Sequence, residues 1–367
     1  MTTQSPLNQL DQLTRPARPG LQRRGFLSLA GGALLGMTAL SACATADGAD
    51  VAKALKEPLA TGAPKAGTSL KIAGRTTQLQ LEAAGSAIDP LSFKVEEWIN
   101  ATGGPEVIQA FRAKAADVAS NALIPPIQAH DIKLDTKVVA VLEKPKPTYV
   151  FATAPGTDIK TFADFKGKKL AFSQGQAQGV VLLRTLDTAG ISYDDVELVA
   201  LPSSDFLTAL QGKQVDVAVL GGLDSAKYID DYGRDGARAI KAEEVDLLTI
   251  LWAPTAVLAD DNNERAIQDY IRAWAQGQVW AWENAEEWKK FYYVDTEGLS
   301  PEDADRIWSS TNQPLFPKKW DDAAAWGQQT IDLIAKGGFV KKFDAEVLFD
   351  RRFEGLAATF VDAKYTK

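Results

Sequence analysis

Two ten-residue stretches of the chain follow one pattern: Ala110-Phe-Arg-Ala-Lys-Ala-Ala-Asp-Val-Ala119 and Ala209-Leu-Gln-Gly-Lys-Gln-Val-Asp-Val-Ala218. Each is typical of the end of a helix, a turn at a lysine, and the start of a strand. Helix-turn-strand order is common, so a chance match remains an alternative. The repeat predicts two similar α/β halves, because each copy precedes a loop where ligands bind in such sheets.

Outward from this repeat, strands and helices alternate in both halves. The strand candidates are Ser69–Ala73, Lys94–Ile99, Asp117–Ala119, Val138–Leu142, Lys169–Phe172, Val196–Ala200, Val215–Leu220 and Ala237–Ile240. The helix candidates are Glu106–Ala115, Gln178–Ala189 and Ser204–Gln211, the last with Ser204 as its N-cap. This alternation predicts mostly parallel sheets flanked by helices.

Two extended segments, Lys146–Thr153 and Thr249–Leu258, are interpreted as crossings between the halves. Two such connections form a hinge that can close over a ligand. The alternative is a pair of ordinary buried strands. We expect lobe 1 to comprise residues 68–152 and 257–367, and lobe 2 to comprise residues 153–256.

The chain beyond Asp260 has helical patterns at Ala266–Tyr293, Pro301–Ser309 and Asp321–Lys336. The first carries many aromatic residues: Tyr270, Trp274, Trp280, Trp282, Trp288, Phe291 and Tyr292. We interpret them as a face that packs against the rest of the protein. A platform for stacking a sugar is the alternative.

Composition excludes several classes of function. The 367 residues are 46% apolar and 24% charged, which suits a globular protein with a large core. The net charge is −8 and there is no basic stripe, so a nucleic-acid partner is not expected. One cysteine and one histidine, His130, allow neither an internal disulfide nor a His/Cys metal site, so we expect no metal and no cofactor. We interpret His130 as structural.

The N-terminus has the features of an export signal. Arg23-Arg24-Gly25-Phe26-Leu27 resembles a twin-arginine motif, and residues 25–42 carry no charge. Leu40-Ser41-Ala42-Cys43 resembles a bacterial lipobox, so residues 1–42 are predicted to be a lipoprotein signal peptide and Cys43 to be lipidated. An uncleaved signal anchor is the alternative. We expect residues 43–67 to form a flexible tether, with a short helical piece at Val51–Leu59.

Five motifs resemble one family of proteins. They are Gly103-Gly104-Pro105, Asn121-Ala-Leu-Ile-Pro-Pro126, Thr161-Phe-Ala-Asp-Phe-Lys-Gly-Lys-Lys-Leu-Ala-Phe172, Gly175 with the helix that ends at Ala189-Gly190, and Leu201-Pro202 with Asp205, Gly212 and Asp216. In this order and spacing, from about Ser69 to Ile229, the chain resembles the aliphatic sulfonate, taurine and nitrate-binding periplasmic proteins of ABC importers.

The resemblance implies a two-lobed periplasmic-binding-protein fold, type II-like, with the ligand at the interface. It implies a small organic anion as ligand, an ABC permease and ATPase as partners, a membrane attachment through the lipid anchor, and a monomer. We expect an exported protein, in the periplasm or on the outer face of the cell membrane, that is not an enzyme. Related folds include the enzymes that make the thiamine pyrimidine precursor, and a receptor or adhesion lipoprotein is a further alternative. Those enzymes depend on a bound cofactor and on His and Cys chemistry, and one His and one lipobox Cys disfavour that reading here.

Anions bind where helices begin at the carboxyl edge of such a sheet, because unpaired N–H groups and the helix dipole favour negative charge. Four loops are expected at that edge, together with Gly104. The candidate ligand-binding residues are Arg75, Thr76, Thr77 and Gln78 in loop one, Asn121 and Ala122 in loop two, Ser173, Gln174, Gly175, Gln176 and Gln178 in loop three, and Gly222 and Asp224 in loop four.

Loop three is the leading candidate, since glycine lets a ligand approach the backbone and Ser and Gln supply neutral donors; a plain strand-to-helix turn is its alternative. Arg75 suits a bidentate pair with a sulfonate or carboxylate, and a solvated surface arginine is the alternative. Asp224 is expected to cap a helix, or to hold the amine of a zwitterion. Gly221-Gly222-Leu223 and Leu123 replace polar or bulky residues of the family pattern. These departures predict a wider pocket and a more apolar ligand than taurine or nitrate.

Overall fold

The computed structural model describes residues 48–101 and 103–367. The predicted signal peptide and Cys43 lie outside the described residues. Two five-stranded sheets, each flanked by helices, form the two lobes.

Lobe 1 is formed by the described chain up to Glu143, together with one strand from later in the sequence. Its elements are α1 (Gly48–Ala54), β1 (Ser69–Ala73), α2 (Arg75–Ala84), β2 (Lys94–Trp98), α3 (Gly104–Arg112), β3 (Val118–Ala122), α4 (Ile124–Asp131), β4 (Thr136–Glu143) and, from later in the chain, β10 (Leu248–Pro254). The strand order is β2-β1-β3-β10-β4; β1 pairs in parallel with β2 and β3, and β10 runs antiparallel to both of its neighbours.

Lobe 2 repeats this arrangement. Its elements are β5 (Val150–Thr153), β6 (Lys169–Phe172), α5 (Ala177–Thr188), β7 (Glu197–Ala200), α6 (Phe206–Gln211), β8 (Val217–Leu220), α7 (Gly222–Tyr232) and β9 (Ala239–Lys241). The order is β7-β6-β8-β5-β9, with β6 parallel to β7 and β8 and with β5 antiparallel to both of its neighbours. In each lobe, therefore, the antiparallel strand is the first strand after the chain crosses from the other lobe.

The C-terminal part is helical. It comprises α8 (Thr255–Leu258), α9 (Asp261–Glu283), α10 (Ala285–Trp288), a π-helical segment (Lys289–Thr296), α11 (Pro301–Ser309) and α12 (Asp321–Lys336). Helix α9 is buried against the lobe 1 core, while α11 contacts α7 and α12 contacts α5 of lobe 2. Within the described ranges, no helix combines the length and the apolarity that crossing a membrane requires.

The predicted repeat is confirmed at the level of single residues. Lys114 and Lys213 both adopt a positive φ, 56° and 53°, in the turn between helix and strand. Asp117 accepts a backbone hydrogen bond from Lys71 at 2.7 Å, and Asp216 accepts one from Lys169 at 2.8 Å. The equivalent aspartate therefore binds the backbone of the neighbouring strand in both lobes.

The second predicted crossing is wrong in position. Thr249–Leu258 lies in lobe 1, as most of β10 followed by α8, and the chain crosses between the lobes at residues 242–247. The first crossing lies at residues 144–149, because β5 already begins at Val150. The apolar side chains of β10 are buried on both faces. Such a strand has a continuous apolar sequence without alternation, so the sequence did not distinguish a central strand from a connection.

Ser204 does not cap a helix. A 3₁₀ turn at Ser203–Asp205 precedes α6, which begins at Phe206 with Asp205 at the N-cap position. The hydroxyl of Ser204 donates to the Asp205 carboxylate instead. The predicted cap is therefore wrong by one residue, because the 3₁₀ turn shifts the start of the α-helix.

Residues 48–67 pack against lobe 1, in contrast to the predicted flexible tether. Val51 is buried, and Leu55 and Leu59 contact the lobe 1 core. The Ala60 N–H donates to the Glu264 carboxylate at 2.7 Å. Composition alone predicted a tether because it does not reveal these partners.

Arg352 holds the same segment from its other side. It forms ion pairs with Glu264 at 2.8 Å and with Asp350 at 2.7 Å. Its guanidinium also donates to the carbonyl oxygens of Ala54 and Glu57. A largely buried charge network therefore attaches the N-terminal segment to lobe 1.

We predict that Arg352→Met destabilises the protein by about 3–5 kcal/mol, because two largely buried carboxylates lose their cation. Residues 48–67 should then become sensitive to trypsin. Mass spectrometry of the cleavage products measures this sensitivity, and Tm measures the loss of stability. Arg351→Met is the matched control, since the ion pairs of Arg351 are more exposed and should change stability by about 1 kcal/mol or less. Equal protease resistance and equal Tm in the two variants would contradict this role of Arg352.

Candidate functional site

Loop one joins β1 to α2 at the carboxyl edge of the lobe 1 sheet. A Cβ at Gly74 would collide with the Tyr270 hydroxyl, so this turn requires glycine. The next residue, Arg75, is partly exposed and forms an ion pair with Glu297 at 3.6 Å. The structure therefore supplies Arg75 with an internal carboxylate partner.

The other three loop one candidates face different surroundings. Thr76 lines a cavity described below. Thr77 is 1% exposed, and Gln78 donates to Glu82 on the surface at 2.8 Å. Of the loop one candidates, Thr76 is thus placed to touch a ligand in that cavity.

Loop two lies at the end of β3. The Asn121 side-chain oxygen accepts a hydrogen bond from the indole N–H of the buried Trp252 at 2.9 Å, which fixes the orientation of the amide. Ala122 pairs with Thr249 of β10. Both residues lie at the sheet edge, as expected.

Loop three is occupied by contacts within the protein. The Gln176 side-chain oxygen accepts from the Ser173 hydroxyl and from the Ser203 N–H, while Gln174 donates to the Phe339 carbonyl at 2.8 Å. A Cβ on Gly104 would come within 2.9 Å of the Gly175 carbonyl oxygen. Loop three therefore presses directly against the Gly103–Gly104 turn of lobe 1. Gln178 is in the first turn of α5 and is half-buried.

Loop four begins α7 and faces α11. A Cβ on Gly222 would lie 3.1 Å from Ile307. Asp224 lies in the first turn and does not cap the helix, whose N-cap position is Gly221. Desolvation raises the pKa of Asp224, and the nearby Lys227 opposes this shift.

Loops one and four approach each other at Glu297. Arg75 of lobe 1 pairs with this carboxylate, and the charge of Glu297 also contributes to the raised pKa of Asp224 in lobe 2. Burial is the main cause that raises the pKa of Tyr292 to about 12, and the negative charge of Glu297 adds to the effect. The Tyr292 hydroxyl is therefore protonated at neutral pH. The structure thus brings loops one and four together, and separately brings loop three against Gly104.

A cavity of about 300 Å³ lies at the carboxyl edge of the lobe 1 sheet, under α10 and α11. We call it the aromatic cavity. It is lined by Thr76, Gln80, Ser120, Leu142, Lys144, Thr148, Thr249, Gln278, Ala281, Trp282, Trp288, Tyr292, Tyr293, Trp308, Thr311, Asn312, Gln313 and Pro314. Its volume is at the lower end of the range for small-molecule sites, about 300–1,000 Å³.

The packing interpretation of the aromatic residues is confirmed, since all of them pack in hydrophobic clusters. Tyr270 and Trp274 are fully buried in the core. Trp282, Trp288 and Tyr292 pack in these clusters and also line the cavity, as does Trp308, which sequence reasoning missed. Trp288 and Tyr292 are four residues apart and lie on one helical face. This spacing is the signal that could have identified these two residues as neighbours in the cavity lining.

The two crossing segments run side by side next to this cavity. The Lys144 N–H donates to the Leu247 carbonyl at 2.6 Å, and the Lys144 ammonium lies 3.5 Å from the Asp246 carboxylate. Asn312 bonds to both backbone groups of Lys146, at 2.7 and 3.1 Å. One wall of the cavity is therefore tied to the hinge.

The described residues contain no group of three or more His, Cys, Asp or Glu side chains arranged to hold a metal. His130, interpreted as structural, is at the end of α4 and its ring packs against Phe343 at 4.1 Å.

Comparison with known proteins identifies the family. Residues 96–288, more than half of the chain, match the family described as NMT1/THI5 like. The chain belongs to the NMT1/THI5-like family. Among curated relatives it is 37% identical, over 120 residues, to a candidate aliphatic sulfonates-binding protein of Escherichia coli (strain K12). That match covers 32% of this chain and spans only 37% of the relative's length.

Solved structures confirm the fold of this family member. The periplasmic aliphatic sulphonate binding protein of Escherichia coli has a TM-score of 0.63 at 23% identity, over 77% of this chain and 91% of that one. The alkanesulfonate-binding protein of Xanthomonas axonopodis pv. citri, bound to MOPS, has a TM-score of 0.66 at 18% identity, over 78% and 99%. The predicted periplasmic-binding-protein fold and the family resemblance are both confirmed.

The buried Asp246 beside the hinge predicts a pH dependence of stability. Burial raises the pKa of Asp246, although Lys144 opposes the shift. The folded state then binds this proton more tightly than the unfolded state does, so stability falls as the pH rises above the ordinary Asp pKa of about 3.9. We expect Asp246→Asn to lose this decline.

The measurement is the free energy of unfolding of wild type and Asp246→Asn in urea, at intervals from pH 4 to pH 7. As the pH rises, the free energy of unfolding of wild type should fall relative to that of Asp246→Asn. A control at the exposed Asp158, as Asp158→Asn, should leave that decline in place. Parallel curves for wild type and Asp246→Asn would show that Asp246 does not titrate in this way.

Proposed function

We propose that this chain is an extracytoplasmic solute-binding lipoprotein of an ABC importer, and that it binds a small anion such as an aliphatic sulfonate between its lobes. The observation that carries the proposal is the aromatic cavity, which opens at the carboxyl edge of the lobe 1 sheet beside the crossing segments. Ligands bind at this edge in open α/β sheets. A cavity next to a hinge suits capture by lobe closure.

The charges around the cleft support an anionic ligand. Arg75 begins α2, where the helix dipole also favours negative charge. Its present partner, Glu297, is a carboxylate, which has the same charge and a similar hydrogen-bonding geometry to one end of a sulfonate. An incoming anion would replace Glu297 at the Arg75 guanidinium.

The candidate residues from sequence fall into two groups under this proposal. Arg75, Thr76 and Asn121 contribute to the ligand site from lobe 1, and Gly222 and Asp224 approach from lobe 2. Loop three acts through its contact with Gly104, as the surface on which the lobes close. The relatives in the comparisons are named as binding proteins, which supports binding without turnover.

Nitrate, taurine or another sulfur or nitrogen compound is the alternative ligand class. Asp224 supports a zwitterion such as taurine, because its carboxylate could hold an amine. A synthase of the thiamine pyrimidine precursor type is the alternative enzyme. Such an enzyme needs several histidines, whereas this sequence has one, His130, which is exposed and packs on Phe343.

A first prediction concerns binding. Titration calorimetry with alkanesulfonates, taurine, nitrate and sulfate esters should give reversible one-to-one binding of at least one sulfonate, without product. A ligand at 100 times its Kd should stabilise the protein by about 2.7 kcal/mol. Arg75→Gln should weaken binding about tenfold or more, because a charge-assisted pair is lost.

Arg112→Gln, at the exposed end of α3, is the matched control and should leave affinity within about twofold. If no compound of the panel produces heat or a thermal shift, the proposed function is wrong. If Arg75→Gln and Arg112→Gln bind equally, Arg75 does not hold the anion.

A second prediction concerns the membrane anchor. Cys43→Ser should move the protein from the membrane fraction to the soluble fraction of the expressing cell, because stable attachment requires the acyl chains. Fractionation and intact-mass measurement test this, with Thr45→Ser as the control that should keep both the lipid mass and the membrane location. Membrane retention of Cys43→Ser would favour the uncleaved signal anchor.

A further inference from the structure

Two pairs of aromatic rings contribute to the lining of the aromatic cavity. Trp282 and Trp308 lie 5.6 Å apart at an interplanar angle of 32°. Trp288 and Tyr292 are stacked at 4.9 Å and 23°. Trp282 and Trp308 are only half-buried, so ring area remains for contact with a ligand.

The rest of the lining includes several neutral polar side chains. Gln278 donates to the Gln80 side-chain oxygen at 3.2 Å. Because Gln80 accepts this bond through its oxygen, its amide nitrogen remains a donor, and Gln80 is only 3% exposed. Ser120 and Thr249 add hydroxyl groups at the sheet edge. Such donors suit the three oxygens of a sulfonate.

The charge of the lining also suits one negative group. Among the described residues that line the cavity, Lys144 is the one charged side chain. Its partner Asp246 is 6% exposed and is not part of the lining. An anionic head in the cavity would therefore meet neutral donors and one cation, whose carboxylate partner is buried outside the lining.

We propose that the aromatic cavity binds an aryl sulfonate, in which the sulfonate is joined to an aromatic ring. The inference rests on the proposed function and names the substrate class of that site. The ring stacks on the Trp282 and Trp308 side, and the sulfonate lies at Thr76, where it meets Gln80 and Gln278 and reaches Arg75, the preceding residue of α2. An alkyl chain fills the same volume but lacks the π-face that the indole rings favour.

The ligand series that tests this holds the head group constant. Benzenesulfonate, cyclohexanesulfonate and butanesulfonate are titrated into the full-length protein, with tryptophan fluorescence as a second readout. We expect benzenesulfonate to bind about tenfold more tightly than cyclohexanesulfonate, which corresponds to about 1.4 kcal/mol. Cyclohexanesulfonate is the matched control, because it has a similar size and no π-face.

The variant Trp308→Leu should reduce this preference to about twofold or less, because the indole face that distinguishes the two ligands is lost. Trp98→Leu is the control, since Trp98 packs near Tyr270 outside the cavity lining, and it should keep the tenfold preference. Circular dichroism checks folding. If Trp308→Leu does not fold, Trp282→Leu replaces it with the same expected result.

Equal affinity for benzenesulfonate and cyclohexanesulfonate overturns this inference and leaves the proposed function intact. Retention of the full aryl preference in both Trp308→Leu and Trp282→Leu also overturns it. Absence of binding by all three sulfonates, and by the wider panel, overturns the proposed function and the inference together.

Discussion

The double crossing between the lobes is the constraint on which the rest of the structure depends. Each sheet is completed by an antiparallel strand, β5 or β10, that the chain reaches only after leaving the other lobe. The backbone bond from Lys144 to Leu247 joins the two crossing segments at 2.6 Å. Because neither lobe holds its full sheet without a crossing, the lobes fold as one unit, and the short pair of segments is where their relative orientation can change.

Contacts outside the hinge also join the two lobes in the described conformation. Helix α11 packs on α7, and α12 places Thr330 within 2.7 Å of the Arg184 guanidinium on α5. Arg184 also lies over the Trp326 ring at 4.5 Å. Opening must break these contacts along with that of loop three on Gly104. The C-terminal helices therefore connect the lobe 1 core to lobe 2 independently of the two crossing segments.

The sequence predicted regular elements better than partners. The alternation located nearly every strand, and the bounds of β1, α11 and α12 agree to the residue, because hydrophobic period and turn residues are local signals. The assignment of β10 to lobe 1 was missed because a strand buried on both faces has no alternation that distinguishes it from a connection. The packing of residues 48–67 was missed because its partners, Glu264 and Arg352, are about two hundred residues or more away in the chain.

The candidate site shows the same limit and indicates what couples it to closure. Sequence placed Arg75 and Thr76 at the sheet edge, but it did not reveal that Glu297 would be the partner of Arg75, nor that Trp308 would line a cavity. Asn312 lines that cavity and also bonds to both backbone groups of Lys146 in the first crossing. Asn312 therefore links the cavity lining to the first crossing segment. A contact that moves its side chain would also disturb its hydrogen bonds to the Lys146 backbone.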